Sequence, residues 1–181
     1  MTSSYVRKII PRFLEMFEAR GYENNHIVDV NTSPLVIQGY DPVDNEDVRL
    51  LYFDNPKFNV RTAETCVNHA EKVKHLVIVY KNDITCFARR VLDTYKGASF
   101  EHMPAKELEI NITKHVLQPK KFVKLSPSQR DAFKEKWGEN FPKMLEKDKI
   151  ARYFNFKKGD VIEIHRRNGD VVYRIVVDSD E

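Results

Sequence analysis

The feature that most constrains this chain is an Asn-Gly pair, Asn168-Gly169, set between two runs rich in β-branched residues. Both positions tolerate a positive φ, so the pair predicts a tight β-hairpin. With these two residues as the loop, Ile162 and Ile164 lie on an apolar face, and the other face carries opposite charges. The expected cross-strand pairs are Arg167 with Asp170, Ile164 with Tyr173, Glu163 with Arg174, Ile162 with Ile175, and Val161 with Val176.

The segment before the hairpin predicts a short helix followed by a basic turn. Asp148 is suited to the N-cap of a helical turn over residues 150–154. Lys157-Lys158-Gly159-Asp160 then ends the helix and supplies a glycine for the turn. Helix, turn and hairpin together predict a small α+β unit at the carboxyl end of the chain.

Residues 148–167 also carry a specific motif. Its matching positions are Asp148, Ala151, Arg152, Tyr153, Lys157, Gly159, Val161, Ile164, Arg166 and Arg167. This pattern resembles the assembly domain of the fifth subunit of eukaryotic RNA polymerases and of its archaeal counterpart. The family's run there is Asp-Pro-Val-Ala-Arg-Tyr-x-Gly-x-Lys-Arg-Gly-x-Val-x-x-Ile-x-Arg-Arg. Here Lys149 stands in place of the proline, Asn155 in place of the glycine, and the hairpin loop is shorter.

Two other segments resemble the same family. Residues 107–115, ELEINITKH, are similar to its linker strand, and residues 79–85 are similar to the Val-Tyr-x-Asn-x-Ile-Thr motif of its N-terminal jaw domain. The family usually continues that motif as Thr-Pro-Ser-Ala, whereas Thr85-Cys86-Phe87-Ala88 keeps only the first and last of these residues. The resemblance therefore covers nearly the whole chain.

The N-terminal part of the chain predicts an α/β jaw domain, a mixed sheet with flanking helices, over residues 1–104. Apolar residues at helical spacing predict a helix over 4–20, ended by Gly21. Residues 24–47 are rich in Asn, Asp, Pro and Gly, which favours a loop with one weak strand at 35–38. Further strands are expected at 48–53, 76–80 and 99–102, and helices at 62–74 and 83–95.

Residues 105–181 predict the small α+β assembly domain. Loose alternation over 107–115 favours a strand, and a second short strand is expected at 122–125. Ser126, Pro127 and Gln129 have the spacing of a capping box with proline at the first helical position. We expect the helix that follows to run to Trp137 and to bury Phe133 and Trp137 on one side.

Charge and motif content favour a protein without its own catalytic centre. The net charge is +3, and 17 of the 30 Lys and Arg residues lie in residues 105–181. The six histidines and two cysteines show no metal-ligand spacing, and no glycine-rich phosphate loop is present, so no cofactor or metal is expected. Cys66 and Cys86 are expected to be buried free thiols, and the N-terminal sequence lacks a signal-peptide core, which favours a cytosolic or nuclear setting.

Two alternatives of other classes stay open on the sequence alone. A metal-dependent nuclease would need carboxylates on neighbouring strands, and Asp54 follows one strand. The next strand, 76–80, has none, and Glu64 and Glu71 fall in a helical segment instead. A stand-alone DNA-binding module is the second alternative, although the small net charge argues against tight independent binding.

The resemblance implies a non-catalytic subunit of a multisubunit DNA-directed RNA polymerase, in the nucleus or, for a viral homologue, in a virion or viral factory. The C-terminal domain would dock on the largest subunit, and the jaw would hold downstream duplex DNA; no membrane is implicated. For the basic residues among those named next, the alternative is an ordinary solvated surface that binds no partner. The expected subunit-interface residues are Arg152, Tyr153, Lys157, Lys158, Arg166, Arg167 and Tyr173, and the expected DNA contacts are Thr85, Arg89 and Arg90.

Overall fold

A computed structural model describes residues 4–29, 32–138 and 140–178, with only the backbone of residue 29. The chain forms two compact units, Met1–Ile110 (unit 1) and Asn111–Glu181 (unit 2). Pro104, where a domain boundary is expected, is the last residue of a strand in unit 1. Within the described ranges, no helix combines the length and apolar content needed to cross a membrane.

Unit 1 is built on a five-stranded mixed sheet; the mixed sheet with flanking helices is confirmed, but the sequence predicts only four of its strands. The strands lie in chain order across the sheet; the first three are antiparallel, and the third, fourth and fifth are parallel. Two helices provide the crossover connections of the parallel part. The elements are α1 (Ser4–Ala19), β1 (Glu23–Asp29), β2 (Leu35–Asp41), β3 (Glu46–Phe53), α2 (Val60–Ala70), β4 (His75–Tyr80), α3 (Cys86–Thr94) and β5 (Ser99–Pro104).

Strand β4 is buried on both faces, which its continuous apolar run predicts. Leu76 and Ile78 pack in one core with α2 and α3. Val77 and Val79 are also fully buried and point to the opposite face of the sheet. Helix α1 covers that face, where the ring of Phe13 lies 5.6 Å from the ring of Tyr52. This three-layer packing explains why the strand needs no polar residue between its ends.

The expectation of a mostly irregular segment over 24–47 is wrong, because β1 and β2 form a long antiparallel pair there. The register between them is irregular, and Asn24 has a positive φ of 53°. Asn, Asp and Gly are rare in strands, so the sequence of these two segments did not suggest them. Pairing with β3 and packing beneath α1 outweigh this low strand propensity. Gly39 is needed for that packing, since a Cβ atom there would lie 3.0 Å from the Phe17 ring.

A buried ionic group ties α1 to the sheet of unit 1. Arg20 donates two hydrogen bonds of 2.9 Å to the Glu101 carboxylate, and His75 Nε2 lies 2.5 Å from the same group. Their side chains are 1%, 7% and 13% exposed, respectively. Burial alone would raise the pKa of Glu101, but Arg20 and His75 reverse this and lower it to about 2. The carboxylate is therefore held in its charged form inside the unit.

Unit 2 is a small α+β fold with a four-stranded sheet. Its elements are β6 (Lys121–Lys124), α4 (Pro127–Trp137), β7 (Lys143–Leu145), α5 (Lys149–Phe154), β8 (Val161–His165) and β9 (Val171–Val177). The strand order is β6-β8-β9-β7, with β7 parallel to β9 and the other pairs antiparallel. The predicted caps are confirmed: Ser126 and Gln129 form a capping box, and Asp148 accepts a 2.8 Å hydrogen bond from the Ile150 amide.

The strand expected over 107–115 is absent, and that prediction is wrong. Two short 3₁₀ turns, Ala105–Glu107 and Ile112–Lys114, occupy this region. The side chain of Asn111 accepts hydrogen bonds from the Thr113 amide and hydroxyl, at 3.0 and 2.6 Å. Such local side-chain bonds compete with strand pairing. The hydrogen bonds of Asn111 therefore favour a 3₁₀ turn in a segment whose loosely alternating apolar residues suggested a strand.

The hairpin is confirmed, but its predicted register is wrong by one residue. Glu163 pairs with Tyr173 and not with Arg174, and Ile162 pairs with Arg174. The Arg166 amide donates to the Asp170 carbonyl at 2.8 Å, so the loop has three residues, 167–169. Only Gly169 among them has a positive φ, +94°, whereas a two-residue type I′ loop requires it at both central positions. Asn168 stabilises the longer loop by accepting a 3.1 Å bond from the Asp170 amide.

Trp137 does not enter the core, contrary to expectation. It is the last residue of α4, and its side chain is 65% exposed. Phe133, one turn earlier, packs 4.5 Å from Tyr173 and 5.2 Å from Phe141, measured between ring centroids. The helix thus contacts the sheet through its middle, and its last turn extends into solvent.

Candidate interaction surfaces

The basic residues predicted for the subunit interface lie in two places in unit 2. Lys157 and Lys158 are exposed in the turn before β8, whereas Arg166 and Arg167 are exposed in the hairpin loop after it. Strand β8 separates them, and five residues at about 3.3 Å each extend over roughly 16 Å. The structure therefore brings each pair together but does not join the pairs into one patch.

Asp160 fixes the shape of the basic turn. Its carboxylate accepts a 2.8 Å hydrogen bond from the Lys157 amide and lies 3.1 Å from Lys124 Nζ. Gly159 takes a φ of +89° and donates to the Val176 carbonyl at 2.8 Å. The backbone is thus locked onto β9, and the two lysine side chains project from a rigid turn.

Arg152 and Tyr153 are less accessible than the sequence suggests. Arg152 is half-buried on α5, and Tyr153 is only 4% exposed. The Tyr153 ring meets the edge of Phe154 at 5.3 Å, and Phe154 stacks on Phe156 at 5.3 Å. Tyr153 is therefore a core residue of unit 2, and its neighbours present the outer surface. Asn155, which replaces the family's glycine, takes the left-handed conformation at the end of α5 with a φ of 57°.

Tyr173 belongs to a polar group on the outer face of the hairpin. Its hydroxyl donates to Glu163 Oε2 at 2.9 Å, and His165 Nε2 lies 2.5 Å from Glu163 Oε1. The hydrogen bond to Glu163, together with burial, raises the pKa of the Tyr173 hydroxyl. Sequence reasoning missed this group because the two-residue loop placed Glu163 opposite Arg174.

A second set of exposed residues in unit 2 escaped the sequence analysis. Val116 and Leu117 are 68% and 85% exposed, in the segment before β6. Arg167 Nε donates to the Gln118 carbonyl at 3.1 Å, which holds the hairpin loop beside this segment. We call Val116, Leu117, Arg166 and Arg167 the loop surface. Adjacent apolar residues without periodicity were the only signal for it in the sequence.

In unit 1, Thr85 lies where two helices begin side by side. Its side chain caps α3 by accepting from the Ala88 amide, and Asn59 caps α2 by accepting from the Thr62 amide. The Thr85 amide also donates to the Phe58 carbonyl at 3.0 Å, which joins the two helix starts. These starts border a hollow of about 590 Å³ whose polar lining is Lys57, Asn59, Arg61 and Thr85, which we call the N-terminal hollow.

The N-terminal hollow lies in a positively charged part of unit 1. The amino ends of two helices carry partial positive charge, and Lys57 and Arg61 add two full charges. Of the predicted DNA contacts, Thr85 lines this hollow. Arg90 lines a neighbouring groove between α2 and α3, and Arg89 is exposed on α3. Lys57 and Arg61 were not predicted, because they become neighbours of Thr85 only through the parallel crossovers.

The carboxylates considered for a nuclease are held in separate places. Asp54 Oδ1 lies 2.7 Å from Lys81 Nζ, and that ammonium group lies 4.9 Å from the centre of the Tyr5 ring. Glu64 is on α2, and Glu71 follows its last residue. Over residues 4–29, 32–138 and 140–178, no cluster of three or more His, Cys, Asp or Glu side chains is arranged to hold a metal ion.

Comparison with known protein families identifies unit 2. Residues 110–176 match the family model described as RNA polymerase Rpb5, C-terminal domain. This range covers nearly all of unit 2 and includes the basic turn and the loop surface. The match rests on the part of the chain whose sequence motif is the most specific.

Individual relatives extend the similarity into unit 1. A protein of invertebrate iridescent virus 6, named as a DNA-directed RNA polymerase subunit, is 36% identical over 113 residues, 56% of this chain and 60% of that protein. DNA-directed RNA polymerase V subunit 5C of Arabidopsis thaliana is 27% identical over 150 residues, 79% of this chain and 58% of its own length. Subunit rpabc1 of the RNA polymerases I, II and III of Dictyostelium discoideum is 27% identical over 161 residues, 81% and 79% of the two chains. The chain thus spans about three fifths of the first two relatives.

Proposed function

We propose that the chain belongs to the Rpb5 family of RNA polymerase subunits and is a non-catalytic subunit of a multisubunit DNA-directed RNA polymerase. The observation that carries this proposal is the match of residues 110–176 to the Rpb5 C-terminal domain. Nucleotide chemistry would then belong to other subunits of the complex. Its place of action would be the nucleus for a cellular polymerase, or a virion or viral factory for a viral one.

In this proposal, unit 2 is the assembly domain and docks on the largest subunit through the loop surface. Leu117 is 85% exposed beside Arg167, and apolar and arginine side chains together are typical of interface anchors. The basic turn, Lys157 and Lys158, adds charge that would steer an acidic partner surface. Tyr153 supports the contact from beneath by holding α5 in place.

Unit 1 is proposed to be the jaw, which holds duplex DNA downstream of the catalytic centre. The N-terminal hollow supplies Lys57 and Arg61 for phosphate oxygens, beside the positive amino ends of α2 and α3. Such contacts position a duplex without reading its sequence. A subunit that holds every transcribed DNA needs contacts of this kind. Arg89 and Arg90 would add charge along α3.

Co-purification from the native source tests the assembly role. A tagged full-length chain should retain a large RNA polymerase subunit, and Leu117→Asp should reduce the recovered amount at least about tenfold by desolvating a buried charge. Val43→Asp is the matched control, because Val43 is 88% exposed in the turn after β2. Recovery of the wild-type chain without any large polymerase subunit would overturn the proposal.

The DNA-holding role needs the assembled polymerase. Lys57→Glu together with Arg61→Glu should weaken photo-crosslinking of the jaw to downstream duplex DNA. Crosslinking should also become less sensitive to salt, by the amount expected for the loss of about two phosphate contacts. Lys72→Glu together with Lys74→Glu, at two exposed lysines after the far end of α2, makes the same change in net charge and is the control. Equal crosslinking in all three proteins would argue against the N-terminal hollow as the DNA contact while leaving the assembly role intact.

A further inference from the structure

Next to the N-terminal hollow, α2 and α3 border an open groove whose apolar walls the proposed function does not use. Its volume is about 650 Å³, and its walls include Val60, Val67, Phe87 and Val91. Phe87 is 63% exposed and Val60 is 37% exposed, and both also border the hollow. Large exposed apolar side chains side by side on a folded domain mark an interaction surface. We define Val60, Val67, Phe87, Arg90 and Val91 as the α2–α3 groove.

The walls of the groove decide which kind of chain can lie in it. Both walls are helices, of 11 and 9 residues, whose interior backbone groups are paired within the helix. An extended peptide would therefore find no strand edge to pair with. A helix satisfies its own backbone hydrogen bonds and can pack apolar side chains between two helical ridges. The groove, about 14–17 Å long at 1.5 Å per residue, accepts two to three helical turns.

Among its described lining residues, the groove itself carries one cation, Arg90, and one carboxylate, Glu64, so the positive charge of the adjoining hollow selects an acidic occupant. Of the charged side chains described in the linings of the groove and the hollow, Lys57, Arg61 and Arg90 are cations and Glu64 is a carboxylate. The amino ends of α2 and α3 lie at the same end as Lys57 and Arg61, and they add positive potential there. An occupant with acidic residues around an apolar stripe complements this field.

From these features we propose that the α2–α3 groove is a docking site for an acidic amphipathic α-helix of another protein. Its apolar residues at i, i+3 or i+4, and i+7 pack against Phe87, Val60 and Val91. Its carboxylates lie toward Arg90, Arg61 and Lys57. Duplex DNA fits the apolar part of the groove poorly, because its phosphates would lose hydration against Phe87, Val60 and Val91, whose side chains offer no hydrogen-bond donor. The site thus adds a protein-binding role to the proposed DNA-holding unit.

A display selection on the full-length chain tests the proposal. The library holds peptides of about 16 residues with leucine fixed at one helical stripe and all other positions random. Enriched peptides should carry net negative charge, and Phe87→Ser should weaken their binding at least about tenfold, as loss of an aromatic anchor does. Val43→Ser, at an apolar position of the same unit that is even more exposed (88% against 63%), should leave binding unchanged.

Two outcomes would overturn the proposal. The first is a selection that enriches no peptides, or only peptides without net negative charge. Enriched peptides that bind the Phe87→Ser variant as tightly as the wild-type chain count as the same outcome. The other is a loss of duplex DNA crosslinking in the assembled polymerase carrying Phe87→Ser, comparable to the loss in Lys57→Glu/Arg61→Glu. That result would assign the groove to DNA. Folding of each variant is checked by its circular dichroism spectrum, since Phe87 lies on the surface and its replacement creates no cavity.

Discussion

Each unit contains a glutamate shared between a histidine and a second donor, but the two groups lie in different surroundings. In unit 1, Glu101 binds Arg20 and His75, and the arginine side chain is 1% exposed. In unit 2, the side chains of Glu163 and His165 are 24% and 37% exposed. Water can replace a lost partner in the second group but not in the first. The first group is therefore a fold determinant, and the second is an adjustable part of the surface.

The largest effect is expected for Glu101→Gln. Loss of the carboxylate removes the charged partner that accepts two hydrogen bonds from buried Arg20, which should destabilise unit 1 by about 3–5 kcal/mol. Hydrogen exchange of the β4 and β5 amides measures this loss. Glu15→Gln is the control, because it breaks the half-exposed Arg12–Glu15 pair and should cost at most about 1 kcal/mol. Equal losses in the two variants would remove the distinction between buried and exposed pairs.

The pH dependence of stability should depend on the same carboxylate. The pKa of Glu101 is about 2 in the folded chain, below its ordinary value of 4.5. Its stabilising contribution is therefore complete above about pH 5 and is lost as the pH falls toward 2, by roughly 3 kcal/mol in all. Urea midpoints from circular dichroism at pH 6 and pH 3 should fall less in Glu101→Gln than in the wild type. Parallel pH curves for both proteins would contradict the assignment.

A smaller effect is expected for Gly169→Ala in the hairpin loop that sets the position of Glu163. Gly169 has a φ of +94°, and alanine there should cost about 1–2 kcal/mol. Hydrogen exchange of the β8 and β9 amides measures this loss within unit 2. Asn168→Ala should cost less, because that residue lacks a positive φ. Equal costs would support the two-residue loop that the sequence suggested.

The smallest effect is expected for Tyr173→Phe, which removes the 2.9 Å hydrogen bond to Glu163. The loss should be about 1 kcal/mol, since both groups retain access to water. A double-mutant cycle with Glu163→Gln should give a coupling energy of roughly 0.5–1 kcal/mol. The corresponding cycle between Glu163 and Arg174 should give almost none. A reversal of these two couplings would restore the register predicted from the sequence.

The candidate surfaces could be predicted only where sequence neighbours act together. Lys157 and Lys158 in the basic turn, and Arg166 and Arg167 in the hairpin loop, were found because each pair is contiguous. The N-terminal hollow was missed except for Thr85, because Lys57 precedes one helix and Thr85 caps the next. Parallel crossovers bring the two helix starts to the same edge of the sheet, and no local pattern encodes that proximity.

The burial of individual side chains was also hard to predict from the sequence. Tyr153 matches the family motif, yet it is buried beneath the surface it was expected to form. Trp137 follows Phe133 at helical spacing, yet it lies beyond the reach of the sheet and is exposed. The periodicity of a helix or strand shows which of its faces is apolar. Which residues of that face are buried depends on how far the neighbouring helix or strand extends along it.

The sequence by itself determined the local elements of this protein. The apolar run of β4, the helical spacing in α1, the capping box of Ser126 and the Asn-Gly hairpin each act over a few residues and need no distant partner. Tertiary structure alone decided the hairpin register, the strand pairing over 23–41, and the meeting of Arg20 with Glu101, which are 81 residues apart. The physical reason is that a cap or a periodic face is fixed by bonds within one segment, whereas pairing and charge burial depend on which segments become neighbours when the chain folds.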